Sequence, residues 1–377
     1  MICAHYLSKY LATTLNWLHA ILRSTDSYEP VMLARTTSNL RDFPLQKLYA
    51  LSDLERIHRL YNLAVYKTFG YFPLFYQAAK DNDVDLLHVH LGYDGYRMLP
   101  LKRKLRVPMV TGFFGIDASK YLQLPEWRER YRRLFDEGEC FLALGPRMRE
   151  ALVGAGCPAR KLHVFHVAID VDEFPFRARV LNARESATIL MGATFREKKG
   201  ITYALDAMAI LKKRSLPFKF VLAGDGPLRA QIERQISDLD LRQNVEMLGY
   251  VDPLTFRGLM ERSHIVILPS VTASDGDTEG TPLVLVEALA MGIPVVSTVH
   301  ADIPEIVKDG VNGFLVPERD AVALAERLIH LVEHPESWEG MGRAGREHVA
   351  EQFNAAKQFD KLMGIYSGLI RTRDGAS

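Results

Sequence analysis

Residues 264–304 read HIVILPSVTASDGDTEGTPLVLVEALAMGIPVVSTVHADIP, and this stretch decides the fold. Residues 265–268 are a short, wholly apolar run closed by Pro269, the pattern of a strand buried on both faces of a parallel sheet. A polar loop leads to Gly280, and an apolar helical run begins near Thr281 and Pro282. Thr281 suits the N-cap and Pro282 the first helical position, where its missing N–H costs nothing. Residues 294–297 form the next strand. Strand, helix and parallel strand make one βαβ unit, which places the chain among the α/β proteins.

The same rhythm extends in both directions. Strands are expected at 85–89, 107–111, 139–144 and 162–167, then at 188–191, 219–223, 245–248, 265–268 and 294–297, with helical stretches between nearly all of them. Residues 2–6, an amphipathic stretch at 13–23 and residues 30–34 form one further unit. Periodicity lapses between Ile169 and Ala187, which marks a domain boundary. The expected organisation is a first doubly wound domain over 1–176, a second over 177–352, and a closing helix over 353–377 that packs back on the first. Ligands of such sheets bind beyond the carboxyl ends of the strands, so a cleft between the domains is expected.

A chain of 377 residues exceeds one ordinary core, and 48% hydrophobic with 25% charged residues is a globular balance. The net charge of +1 disfavours nucleic acid as a partner. Cys3, Cys140 and Cys157 form no metal-ligand spacing and suit a reducing compartment. His5, Lys9 and His19 interrupt the amino-terminal stretch, which fails as a signal peptide, and no run is long enough to span a bilayer. A cytoplasmic location is expected.

The helix start at 281 presents backbone N–H groups and a positive dipole end, the requirement for holding a phosphate. Glu287 lies among Leu283, Val284, Leu285, Val286, Ala288 and Leu289, and a carboxylate in so apolar a run needs a partner such as a ribose diol. Glu279 precedes the helix. After residues 188–191 comes Gly192-Ala-Thr-Phe-Arg196-Glu-Lys198-Lys199-Gly200, whose cations suit a diphosphate. The Gly224-Asp-Gly226-Pro turn lets backbone approach a ligand.

Glu279 and Glu287 with seven residues between them, the Arg/Lys-Gly loop, the GDGP turn and Ile303-Pro304-Glu305 together resemble the retaining glycosyltransferases of the GT-B fold, glycosyltransferase family 4-like, group 1. The likeness spans roughly residues 84–370 and is strongest at 188–320, and the loop is most similar to bacterial enzymes of exopolysaccharide or lipopolysaccharide biosynthesis. The resemblance implies a sugar moved from a nucleotide-diphosphate donor to a saccharide or polyprenyl-diphosphate-linked acceptor, with retention and without a resident metal or other cofactor. It implies Glu279 at the sugar hydroxyls, Glu287 at the ribose, Lys199 and Arg196 at the diphosphate, and Gly280, Thr281, Pro282 and Leu283 at the helix start. Asp275-Gly276-Asp277 imitates a metal-binding DxD motif but reads as turn chemistry.

The first domain is expected to select the acceptor through Phe114, Gly115, Asp117, Thr13 and Thr14. Phe114 stands where many relatives have His, so His90 is a candidate substitute, and Ala193 stands where many have Arg. Basic and aromatic residues at 100–106 and 127–133 suit peripheral contact with the inner membrane face. A sugar-nucleotide epimerase of the same fold and a nucleotide-binding subunit without turnover are the competing readings.

Overall fold

The computed structural model describes residues 1–11, 17–22, 25, 27–182 and 185–375. Thirteen strands occur among them, every ladder parallel. The first sheet uses β1 Ile2–Tyr10, β2 Glu29–Thr37, β3 Leu48–Ala50, β4 Leu86–His90, β5 Met109–Gly112, β6 Cys140–Ala143 and β7 Leu162–Val164, in the spatial order β3-β2-β1-β4-β5-β6-β7. The second uses β8 Ala187–Gly192, β9 Phe218–Ala223, β10 Val245–Gly249, β11 Ile265–Leu268, β12 Val295–Thr298 and β13 Gly313–Val316, in the order β10-β9-β8-β11-β12-β13. Both are doubly wound, so the α/β expectation holds.

Burial explains why these runs became strands. Every residue of β4, β5, β6, β11 and β12 is buried, as in a sheet covered by helices on both faces. β1 runs four residues beyond its expected end, to Tyr10. The expected strand at 162–167 stops at Val164. The expected helix at 13–23 is described only over Trp17–Ile21; Thr13 and Thr14 lie outside the described residues. Two edge strands, β3 and β13, had no counterpart in the sequence reading.

The chain divides into two compact units, Met1–Val167 together with the segment from Gln358 onward, and Ala168–Lys357. The helix Ala355–Gly375 supplies Leu362 and Tyr366 to the core of the first unit, beside Cys3, Leu86, Val110 and Cys140. The Tyr366 hydroxyl shares a hydrogen bond with Nδ1 of His88 on β4, and both groups are buried. The second unit's core gathers β8, β9, β11 and β12 with the helices Ile201–Lys213, Leu283–Ala290 and Ala321–Glu333. Among the described residues no helix is long and apolar enough to cross a membrane.

Tyr366→Phe deletes a hydroxyl and leaves a buried imidazole nitrogen unpaired. It should cost about 1–3 kcal/mol in urea unfolding of the full chain.

Candidate active site

The strand order of the second sheet reverses between β8 and β11, with β9 and β10 on one side and β12 and β13 on the other. Loops that leave the carboxyl ends of strands at such a reversal diverge and open a crevice, where ligands of open α/β sheets bind. Residues 193–199 leave β8 and residues 269–282 leave β11. The switch point thus collects Arg196, Lys199, Glu279, Gly280, Thr281 and Pro282.

A glycine draws the two loops together. Gly200 has φ +66°, and a Cβ on it would lie 1.8 Å from the carbonyl oxygen of Pro269. The turn before it therefore rests directly on the end of β11, and the Val271 N–H donates to the Lys198 carbonyl at 2.9 Å. At that separation the Lys199 ammonium reaches the Glu279 carboxylate at 2.7 Å, and the Ser270 hydroxyl donates to the same oxygen at 2.9 Å. Burial alone would raise the pKa of Glu279. Lys199, Lys198 and the hydrogen bonds outweigh it and hold the carboxyl below its ordinary range, so Glu279 is a buried anion.

Lys198 is committed elsewhere, to Asp277 at 3.1 Å and to the carbonyl of Thr278 at 3.1 Å. The Asp277 N–H donates to the Asp275 carboxylate at 3.1 Å, so the DxD-like run forms an Asx turn pinned by a lysine. Arg196 caps the short helical turn Glu197–Lys199; its exposed guanidinium has no partner among the described residues.

The helix occupies Leu283–Ala290, with Pro282 as its cap at φ −74°, ψ 93° and no side chain closing its first turn. The expectation of Thr281 as cap is thereby corrected by one residue. A residue before proline resists helical geometry, so Thr281 stays outside, and Pro282 loses nothing at the cap because it has no N–H to satisfy. Leu285 donates to the Pro282 carbonyl at 3.0 Å, which tightens the turn. Glu287 lies farther along this helix, half-buried. Desolvation pushes its carboxyl up to about 7, partly offset by the nearby Arg257, and it has no hydrogen-bond partner among the described residues.

Two residues that the sequence reading missed hold Glu279 in place. His300, beyond β12, accepts the Glu279 N–H at Nε2 (3.0 Å) and bonds Glu318, beyond β13, through Nδ1 at 2.6 Å. Glu318 also accepts the Thr272 N–H at 2.8 Å, so one imidazole–carboxylate pair ties down both ends of the 272–279 loop. Ile303-Pro304-Glu305, which the motif pointed to, opens the short helix Ile303–Ile306 just after His300.

Gly224 and Gly226 carry a different explanation from the one expected. A Cβ on Gly224 would lie 1.8 Å from the Ala193 carbonyl oxygen, and one on Gly226 would lie 2.8 Å from Phe195 backbone atoms. Both glycines serve the packing of the turn after β9 on the loop after β8. The close approach is made by protein backbone.

In the first unit Asp117 corrects the expectation of an acceptor contact. It is fully buried, and its carboxylate accepts the N–H groups of Gly92 (2.7 Å), Phe114 (2.9 Å) and Gly115 (3.1 Å). Desolvation still raises it to about 6 against those hydrogen bonds. Asp117 is thus the knot of its loop, and Gly115 is buried with it. Phe114 is half-buried, its ring 4.8 Å from Trp17 and 6.0 Å from His90. His90 is buried in turn, with Nε2 2.9 Å from Nδ1 of His5, whose Nε2 bonds the Tyr28 hydroxyl. Desolvation and the neighbouring imidazoles hold His90 well below its ordinary pKa, so it is neutral. His5, His88 and His90 are the sole group of three or more His, Cys, Asp or Glu among the described residues with ligand atoms close enough for a metal, within 4.8 Å of one another. To use His5, an ion would have to break one of its two existing hydrogen bonds.

A family model described as Glycosyl transferases group 1 matches residues 172–348, and one described as Glycosyltransferase Family 4 matches residues 25–173. The chain is 35% identical over 287 residues to the amylovoran biosynthesis glycosyltransferase AmsK of Erwinia amylovora, covering 76% of this chain and 70% of that protein. It belongs to the group 1 glycosyltransferases. This glycosyltransferase is also 34% identical over 281 residues to the putative colanic acid biosynthesis glycosyltransferase WcaL of Escherichia coli K12, covering 74% and 69%. Among solved structures it is similar to Anabaena HepE in complex with UDP (TM-score 0.77, 18% identity, 98% and 99% covered) and to a glycosyltransferase from Rickettsia africae (TM-score 0.79, 15% identity, 98% of each chain). Its two Rossmann-like domains are those of the GT-B fold.

Gly200→Ala should destabilise this glycosyltransferase by about 2–4 kcal/mol in urea unfolding, through a strained backbone and a clash with Pro269. An unchanged midpoint would show that the two loops are not held by that contact.

Proposed function

We propose that the enzyme transfers a sugar with retention of configuration from a nucleotide-diphosphate donor to a saccharide or polyprenyl-diphosphate-linked acceptor, in surface polysaccharide biosynthesis at the cytoplasmic face of the membrane. The relatives named for amylovoran and colanic acid biosynthesis support the pathway class, and the neighbour solved with UDP supports the donor class. The observation that carries the reading is Glu287. A half-buried carboxylate with no hydrogen-bond partner among the described residues, inside the helix that starts beside Glu279 and Lys199, is open to the hydrogen bonds a ribose diol would provide.

In this reading the start of the Leu283–Ala290 helix and the cations of Lys199 and Arg196 take the diphosphate, and Glu279 takes the sugar hydroxyls. Negative charge grows on the departing diphosphate oxygen as the bond to the sugar breaks, and cations and N–H groups already in place stabilise it. The acceptor hydroxyl attacks from the face the diphosphate leaves and gives its proton to that leaving oxygen. No protein nucleophile enters, and no metal is required.

Binding should report Glu287 directly. A diol donates to the ionised carboxyl, and a group at about 7 is mostly protonated at pH 6 and mostly ionised at pH 8. UDP affinity should therefore gain about tenfold from this group between those pH values. Isothermal titration of wild type against Glu287→Gln isolates the effect, because the nucleotide's own titration is common to both. Equal pH slopes would refute the ribose contact.

Lys199→Ala should lower kcat by about 10²-fold or more with a smaller change in KM. Transfer or slow donor hydrolysis should persist in excess EDTA; loss that manganese restores would overturn the metal-free reading. A changed sugar nucleotide among the products would identify an epimerase.

A further inference from the structure

The helix Arg56–Phe69 in the first unit is turned inside out. Its one fully buried residue is Asn62, whose side chain donates to the His58 carbonyl at 3.0 Å and accepts the Leu74 N–H at 2.8 Å. Tyr66 adds an inward contact, stacked on Phe72 at 4.3 Å. Most of its other apolar residues are exposed. Ile57 is 71% exposed, Leu60 56%, Tyr61 59% and Phe69 65%. Positions 57, 60, 61 and 64 follow the helical repeat and make one continuous outward stripe of Ile, Leu, Tyr and Ala. A helix packed on a domain in water normally shows the reverse, and an exposed apolar patch of this kind marks an interaction surface.

The charges of this helix are one-sided. Arg56, Arg59 and Lys67 are its cations, and none of its residues is Asp or Glu. Arg56, Leu63 and Lys67 border the apolar stripe along one edge, and the three cations have no ion-pair partner among the described residues.

Most cations of the basic runs at 100–106 and 127–133 have neighbours within the protein. Arg103 makes a two-pronged bond to Glu137 at 2.6 and 2.5 Å, and Lys102 pairs with Glu139 at 2.6 Å. Lys104 lies over Tyr71 and Tyr76, Arg130 over Trp127 and Arg133 over Tyr96, while Arg132 pairs with Glu129.

We propose that the Arg56–Phe69 helix is the surface by which this glycosyltransferase lies on an anionic lipid membrane. The apolar stripe enters the interfacial layer, Tyr61 sits at headgroup level, and Arg56 and Lys67 on its edge meet lipid phosphates. This rests on the peripheral-membrane part of the proposed function and gives it a location. A second copy is a poorer occupant, because a two-fold contact would set the same cations against each other with no carboxylate on either helix.

Flotation tests it, using phosphatidylcholine vesicles with and without about one-third phosphatidylglycerol. Wild type should float with the anionic vesicles, and Ile57→Glu/Leu60→Glu should reduce the bound fraction about tenfold or more while leaving UDP affinity unchanged. Because these positions are exposed, the variant should melt like wild type. In Tyr61→Trp, brominated lipid should quench the new tryptophan. If wild type floats and the double variant floats equally, this helix is the wrong surface and the membrane reading survives. If wild type stays unbound, the membrane reading itself falls. A wild-type dimer that becomes monomeric in the double variant by light scattering would assign the face to a second copy and overturn the proposal.

Discussion

The second unit depends on a backbone that comes within contact distance of another backbone. Gly200 has no Cβ, so the turn carrying Lys198 and Lys199 can lie against the Pro269 carbonyl. Neither lysine could otherwise reach across from the end of β8 to the loop after β11. Two ion pairs follow, Lys199 with Glu279 and Lys198 with Asp277, and they stitch adjacent loops at the point where the strand order reverses. Buried pairs of this kind are costly to expose singly, so each side chain has its place fixed by the other. The site is organised by its own charges.

The sequence made the sheets legible because strands buried on both faces must be apolar throughout, as in residues 265–268 and 220–223. It hid β3 and β13 for physical reasons. Both are short, and β13 opens with Gly313, which is there because a Cβ would lie 2.3 Å from the Val295 carbonyl oxygen. A glycine before three apolar residues reads equally well as a turn.

Glu279, Glu287 and Lys199 stood out by type and spacing, since a carboxylate in an apolar run and a lysine at a strand end are conspicuous. Their mutual geometry was not, because it depends on Gly200. His300 and Glu318 were invisible for another reason: they act on backbone N–H groups, which every residue possesses, so no partner residue type signals them. Asp117 misled in the opposite sense. An acidic residue in a loop at a strand end suggests a ligand contact, but three converging N–H groups satisfy it from within.

The placement of Leu362 and Tyr366 in the core of the first unit bears on how the chain is made. A ribosome delivers β1 to β7 early, yet the sheet they form must wait for the helix Ala355–Gly375 before one of its faces is closed. The intervening unit, whose segments are contiguous, can close while that face is still bare. The part translated first is therefore the part finished last, and in the interval its uncovered apolar surface, with Cys3 and Tyr28 near the gap, is the natural client for a chaperone.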